Sequence, residues 1–156
     1  MDGLRLHTCS TAPMPTTEKD RYMIFLDTNL LVYMADDTDE VKHRRARELV
    51  VRAIRGEAMM ISVQVLNEFA SVMYRKFKRT DAEVSDYLMF FEPIHTVVLE
   101  PRFSHRAVEI KMRYGLQYYD ALLLATAEAN GCDEFYSEDL SDGQLYCGIK
   151  AVNPFK

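Results

Sequence analysis

Tyr22-Met23-Ile24-Phe25-Leu26-Asp27-Thr28-Asn29 is the stretch that decides how this chain folds. A short apolar run rich in strand formers meets three polar residues that end it. A run this short reads as a strand, and the break after it as the strand's carboxyl end. The same grammar recurs downstream. Ala58 to Ile61, Thr96 to Leu99, Phe135 to Ser137 and Ile149 to Val152 are further short apolar or β-branched runs.

Helical patterns fill the gaps between these strands. After Asn29, Leu30 to Tyr33 reads as a short helical turn. From Glu40 to Arg55, the residues Ala46, Leu49, Val50, Ala53 and Ile54 recur at three and four, and Gly56 closes the helix. Gln64 to Phe77, Asp81 to Phe91 (ended by Pro93) and Phe103 to Arg113 are amphipathic in the same way. Tyr119 to Ala129 is apolar nearly all round, as a helix packed on a sheet must be, and Asn130-Gly131 stops it. Strands alternating with helices predict a parallel sheet with right-handed crossovers and helices on both faces. The expected fold class is α/β, a three-layer α/β/α sandwich.

A length of 156 residues suits one domain that buries its own core. The expected domain runs from 22 to 156, behind a disordered leader over 1–21 that has no continuous apolar segment of the signal-peptide kind. Met14 and Met23 are alternative candidates for the natural start. No apolar run approaches membrane-span length, so no membrane partner is expected. Cys9, Cys132 and Cys147 are odd in number and form no C-x-x-C pair. Free thiols in a reducing cytoplasm are the expectation.

The net charge of −5 argues against holding nucleic acid by bulk electrostatics alone. Local bias runs the other way. Lys42, Arg44, Arg45, Arg47, Arg52 and Arg55 crowd one helix, and Arg75, Lys76, Lys78 and Arg79 crowd another segment. Each cluster reads either as a solvated helix face or as a basic rim for nucleic acid. The acidic run Asp36 to Glu40 resembles an EF-hand loop only superficially. Val41 and Arg47 stand where Gly and Glu are required. Helix-start chemistry explains the run, with Thr38 or Asp39 as the cap.

Four acids are placed to meet: Asp27 at the end of the first strand, Glu68 beside the buried stripe of a helix, Asp120 at the mouth of the apolar helix, and Asp139 just past Phe135 to Ser137. In an open α/β sheet, strand carboxyl ends converge on one crevice, and ligands bind there. Taken singly, each acid has a structural reading as a cap, a turn residue or a dipole partner, and Glu138, Asp142 and Asp133 compete with Asp139. Taken together, they predict an oxygen-rich site for Mg²⁺ or Mn²⁺ and metal-assisted hydrolysis. His7, His43, His95 and His105 show no ligand spacing, and no G-x-S-x-G elbow or phosphate-binding glycine loop is present.

Leu26-Asp27-Thr28-Asn29, Val65-Leu66-Asn67-Glu68, Tyr119-Asp120-Ala121-Leu122 and Ser137-Glu138-Asp139 resemble, in order and spacing, the four motifs of PIN-domain ribonucleases. The likeness runs from Tyr22 to about Val152, and is greatest to the VapC-like toxins of toxin–antitoxin pairs. The resemblance implies that Asp27, Glu68, Asp120 and Asp139 are catalytic and hold the metal, with Thr28, Asn29 and Ser137 hydrogen-bonding around them. Asp142 matches a further acid found after the fourth motif. It also implies an RNA substrate, a homodimer, and an antitoxin whose tail blocks the site. Glu138 departs from the pattern, since that position is often basic in the family.

Two other activities compete. A haloacid-dehalogenase-like phosphatase also begins with a strand and an Asp, but needs a second Asp where Asn29 stands. A PIN fold used only for binding would have lost its acids, and all four are present. Within the family, a solitary RNA-processing nuclease is the alternative to a toxin.

Overall fold

In the computed structural model, which describes residues 21–156, one six-stranded sheet carries six helices. The order along the chain is β1 (Ile24–Leu26), α1 (Thr28–Ala35), α2 (Glu40–Ile54), β2 (Met59–Ser62), α3 (Val63–Arg75) and α4 (Asp81–Phe91). Then come β3 (His95–Val97), α5 (Pro101–Tyr114), α6 (Tyr118–Ala129), β4 (Glu134–Tyr136), β5 (Leu145–Tyr146) and β6 (Ile149–Val152). The expected leader, the start at Met14 and Cys9 lie outside the described residues.

Across the sheet the order is β3-β2-β1-β4-β6-β5, parallel throughout except for the β5–β6 edge pair. The α/β/α sandwich expected from the alternation is the fold found. The chain works outward from β1 to β2 and β3 on one side, then returns to lay β4 on its other side. The switch point therefore lies between β1 and β4, where a crevice opens at the carboxyl ends. Phe25 and Phe135, partners in that register, stack with ring centroids 5.2 Å apart and lock the two central strands together.

Local chemistry accounts for most element boundaries. Asp39 caps α2 by accepting from Lys42 N at 3.1 Å, as the acidic run predicted. Thr80 and Glu83 form a reciprocal capping box at the start of α4. Helix α6 buries Ala121 through Ala127 without interruption, which is why its sequence shows no polar face.

Most other boundaries move by a residue or two, and three of the differences have a clear local cause. The turn after Asn29 is a full helix, because Asp27 caps it and Leu30 and Leu31 bury completely. Strand β3 ends at Val97 rather than Leu99. Its partner β2 stops pairing at Ser62, where α3 begins, so Val98 and Leu99 are left exposed. Pro101 then starts α5 two residues early, its ring being suited to a first helical position. Strand β5 was not foreseen. It hairpins onto β6 through Cys147 and Gly148, both with positive φ (52° and 81°), a turn usually signalled by Asn-Gly.

No helix among the described residues is long and apolar enough to cross a membrane. Cys132 is buried, and its thiol is pushed up to about 12 by burial and then by Asp133. Cys147 is half-buried.

Candidate active site

Asp27 stands where β1 gives way to α1, and it is the most enclosed of the acids. Its Oδ1 accepts from Thr28 N at 2.6 Å, capping α1, and its Oδ2 accepts from the Ser137 hydroxyl at 2.6 Å. Burial raises its carboxyl from 3.8 to about 7. The bonds from Ser137 and Thr28 work against that rise, while Asp120 and Asp139 add to it. Ser137, fully buried just past β4, uses every valence of its hydroxyl. It donates to Asp27 and accepts from Asp139 N at 3.0 Å and Asn29 Nδ2 at 3.3 Å. The two central strands are thus tied across their carboxyl ends by one hydroxyl.

The other acids arrive from helices and a loop. Glu68, half-buried on α3, accepts from Thr28 Oγ1 at 2.7 Å and Gln64 Nε2 at 2.7 Å. Gln64 also donates to Tyr119 O at 3.1 Å, fastening α3 to the start of α6. Asp139 accepts from Asn29 Nδ2 at 3.2 Å. Both amides turn their NH₂ groups to carboxylates, which leaves Asn29 Oδ1 and Gln64 Oε1 buried without partners. Asp120, in the first turn of α6, has its carboxyl raised by burial, then by Asp139 and Glu68.

The structure therefore brings all four acids to one end of the sheet, around the β1/β4 switch point. No Lys or Arg among the described residues forms an ion pair with any of them. Nor are any three preset at metal-ligand distances among those residues. Two like charges about 5 Å apart at an effective dielectric of about 20 repel by roughly 3 kcal/mol, a repulsion that a divalent cation between them would offset. The donor set, all carboxylate oxygen with Asn and Ser support, fits a hard divalent cation such as Mg²⁺ or Mn²⁺ rather than a softer metal.

Glu138 behaves otherwise. Lys42 Nζ approaches its Oε2 to 2.8 Å, and the Tyr33 hydroxyl donates to its Oε1. Lys42 also lies 4.7 Å over the Tyr33 ring. Its ammonium is held above its usual range by Glu138 first and Tyr33 second. The acid that departs from the expected pattern thus brings its own cation and is drawn away from its neighbour Asp139. Asp142, exposed, accepts from Asn153 N at 2.8 Å and so ties down the C-terminal segment.

Gln64 and the Lys42–Tyr33 pair were missed in the sequence. The Gln64–Glu68 spacing of i, i+4 is a usable helix signal for the first. No local signal announces the second, since its partners are far apart in the chain. A second hollow, of about 830 Å³, lies at the strand amino ends between Met23, Met59 and His95. It is the wrong end of the sheet for α/β ligand binding.

The PIN domain family model matches residues 24–141. Among solved structures, a toxin–antitoxin complex from Klebsiella pneumoniae superposes with a TM-score of 0.64 at 21% identity, covering 84% of this chain and 97% of that one. The sarcin-ricin-loop-cleaving toxin VapC20 of Mycobacterium tuberculosis gives 0.61 at 17% identity, covering 81% and 98%. VapBC2 of Rickettsia felis, bound to a DNA fragment from its promoter, gives 0.62 at 14%, covering 84% and 98%. No curated protein matches the chain by sequence. The family match spans most of the chain, and the chain belongs to the PIN-domain family.

Proposed function

We propose that this PIN-domain protein is a divalent-metal-dependent endoribonuclease that hydrolyses RNA phosphodiester bonds, and that it is the toxin of a toxin–antitoxin pair. One observation carries the reading. Four carboxylates gather at the switch-point crevice with no protein cation among the described residues to neutralise them. Such an arrangement is costly in a protein with no ligand to hold.

Asp27, Glu68, Asp120 and Asp139 are the residues that would hold Mg²⁺ or Mn²⁺. When bound, such a cation polarises a phosphoryl oxygen and acidifies water, which supplies the nucleophile. The chain's own contribution is position. Ser137 and Thr28 N fix both oxygens of Asp27. Gln64 and Thr28 fix those of Glu68, and Asn29 steadies Asp139. Asp120 completes the set from the first turn of α6.

The direct test is incubation of the purified protein with total RNA in Mn²⁺ or Mg²⁺, followed by mapping of the new ends. Discrete cleavage sites that vanish with chelator are expected. Intact RNA under all metal conditions would sink the reading.

The partners follow from the same reading. An antitoxin tail that enters the acidic crevice would carry basic residues, and it should co-purify as the product of a small upstream gene. A solitary RNA-processing nuclease would lack that neighbour. A homodimer has apolar surface available in Val108 and Met112, four residues apart on α5, and in Met89 and Phe90 on α4. Free thiols at Cys132 and Cys147 suit a cytoplasmic setting.

A further inference from the structure

A groove of about 600 Å³ leads away from the acidic crevice between α3 and the start of α6. Thr28 and Glu68 form its near end, so it is continuous with the crevice. Ser71 and Arg75 continue along the same face of α3, and Leu99 and Tyr119 complete the lining. Glu68 and Arg75 are nearly two helical turns apart, ~10 Å along the axis.

Three features give this groove a chemistry. Tyr119 is 65% exposed and adjoins Asp120 in sequence. It is not loose: its backbone oxygen accepts from Gln64, and the Tyr118 ring props its own edge-on at 5.4 Å. A large aromatic ring open to solvent on an anchored backbone offers a stacking platform. Arg75 is the one basic residue among those described along the groove. Its Nε donates to Ser71 Oγ at 3.0 Å, which orients the guanidinium and leaves its Nη groups outside any ion pair among the described residues. By contrast, Arg45, Arg52 and Arg79 from the two basic clusters are held by Glu48, Glu57 and Glu83. With Lys42 on Glu138, four of the ten basic residues in the two clusters are paired, and none of those four lines the groove. Arg75 does.

We propose that this groove binds the stretch of single-stranded RNA that adjoins the scissile phosphate, one base stacked on Tyr119 and a backbone phosphate held by Arg75. The proposal rests on the nuclease reading and adds to it two RNA-holding residues outside the acidic crevice, Tyr119 and Arg75. A base stacked inside a duplex cannot lie on Tyr119, whereas an unpaired base offers its face to any aromatic ring. A basic peptide fits the groove less well, because its charge would meet Arg75 at the far end.

The test uses the full chain in an Asp120→Asn background with Mg²⁺, and a fluorescent single-stranded RNA of about twelve nucleotides read by anisotropy. Tyr119→Ala should weaken binding about tenfold or more, and Tyr119→Phe should restore it. Arg75→Ala should weaken binding and flatten the salt slope by a little under one. A blunt-ended duplex of two complementary RNA strands should show no dependence on Tyr119. The chain has no tryptophan, so Tyr119→Trp introduces a single reporter whose emission should change when the RNA binds. Unchanged affinity and salt slope in both alanine variants, with wild type still cleaving RNA, overturn the groove alone and leave it to a protein segment. A wild type that neither binds nor cleaves RNA overturns the groove and the nuclease reading together.

Discussion

Glu138 and Asp139 are neighbours in the chain and opposites in their surroundings. Glu138 is met by a lysine and a tyrosine, and its charge is balanced on the spot. Asp139 joins Asp27, Glu68 and Asp120, where hydroxyls and amides supply hydrogen bonds but no protein cation supplies charge. The fold places a cation beside a carboxylate where one is needed, and Lys42 shows it. Its absence one residue away is the observation on which the proposed metal site rests. Like carboxylates destabilise a metal-free fold, and a bound divalent cation reverses the sign of the same interactions.

The comparison breaks first if the uncompensated acids have no catalytic role. Asp27→Asn and Asp120→Asn each keep the shape of the side chain and remove its charge. Loss of metal anchoring is worth several kcal/mol at the transition state, so each should cut RNA cleavage by about a thousandfold or more. Near-normal turnover by either folded variant in Mg²⁺ would end the assignment of that acid.

A second test uses pH without metal. Asp27 has its carboxyl raised to about 7 by burial and by its acidic neighbours. Between about pH 4 and pH 7 the folded protein holds a proton on this group that the unfolded chain has released. Stability from this source is therefore full below pH 4, falls as pH rises through 7, and levels off above. The total is on the order of 4 kcal/mol. Urea unfolding of wild type and Asp27→Asn in chelator should show the gap between them changing through this window and flat above it. A gap independent of pH would mean that Asp27 is ionised in both states.

Neutralising one member of the cluster should also stabilise the metal-free fold. Asp120→Asn in chelator and low salt should melt above wild type, at ~2–4 °C for each kcal/mol of repulsion removed. Metal at a hundred times its dissociation constant should add about 2.7 kcal/mol to wild type and far less to the variant. Equal metal-induced shifts, together with a less stable apo variant, would mean that the acids do not share one site.

The smallest effect belongs to the compensated side. Lys42→Met strands Glu138 and should cost about 1 kcal/mol, the range for a partly exposed pair. Adding Glu138→Gln should recover most of it, and the metal-induced melting shift should be that of wild type throughout. A changed metal shift in Lys42→Met would show that the two regions are one electrostatic unit.

How much of this was legible in the residues varies by feature. Alternation of apolar runs with amphipathic stretches told strand from helix, because period and length are local properties of the chain. The cap at Asp39 and the first-turn proline of α5 were also local, although the latter was read two residues late. The β5–β6 hairpin escaped notice because Cys147-Gly148 adopts a turn that Asn-Gly usually announces. Asp27, Asp120 and Asp139 were read from their places at strand and helix ends and Glu68 from its place beside a buried stripe, and topology puts the four at one end of the sheet.

What the sequence determined by itself is the α/β alternation, the capped helices and the set of carboxylates bound for one crevice. Those depend on periodicity and on which residue follows which. Only the tertiary structure decided which charges are balanced. Glu138 meets Lys42 and Tyr33, Arg45, Arg52 and Arg79 are taken by glutamates, Arg75 is kept open beside Tyr119, and Gln64 joins Glu68 to α6. Electrostatic partners are chosen by distance through space, and a linear order of residues does not contain those distances.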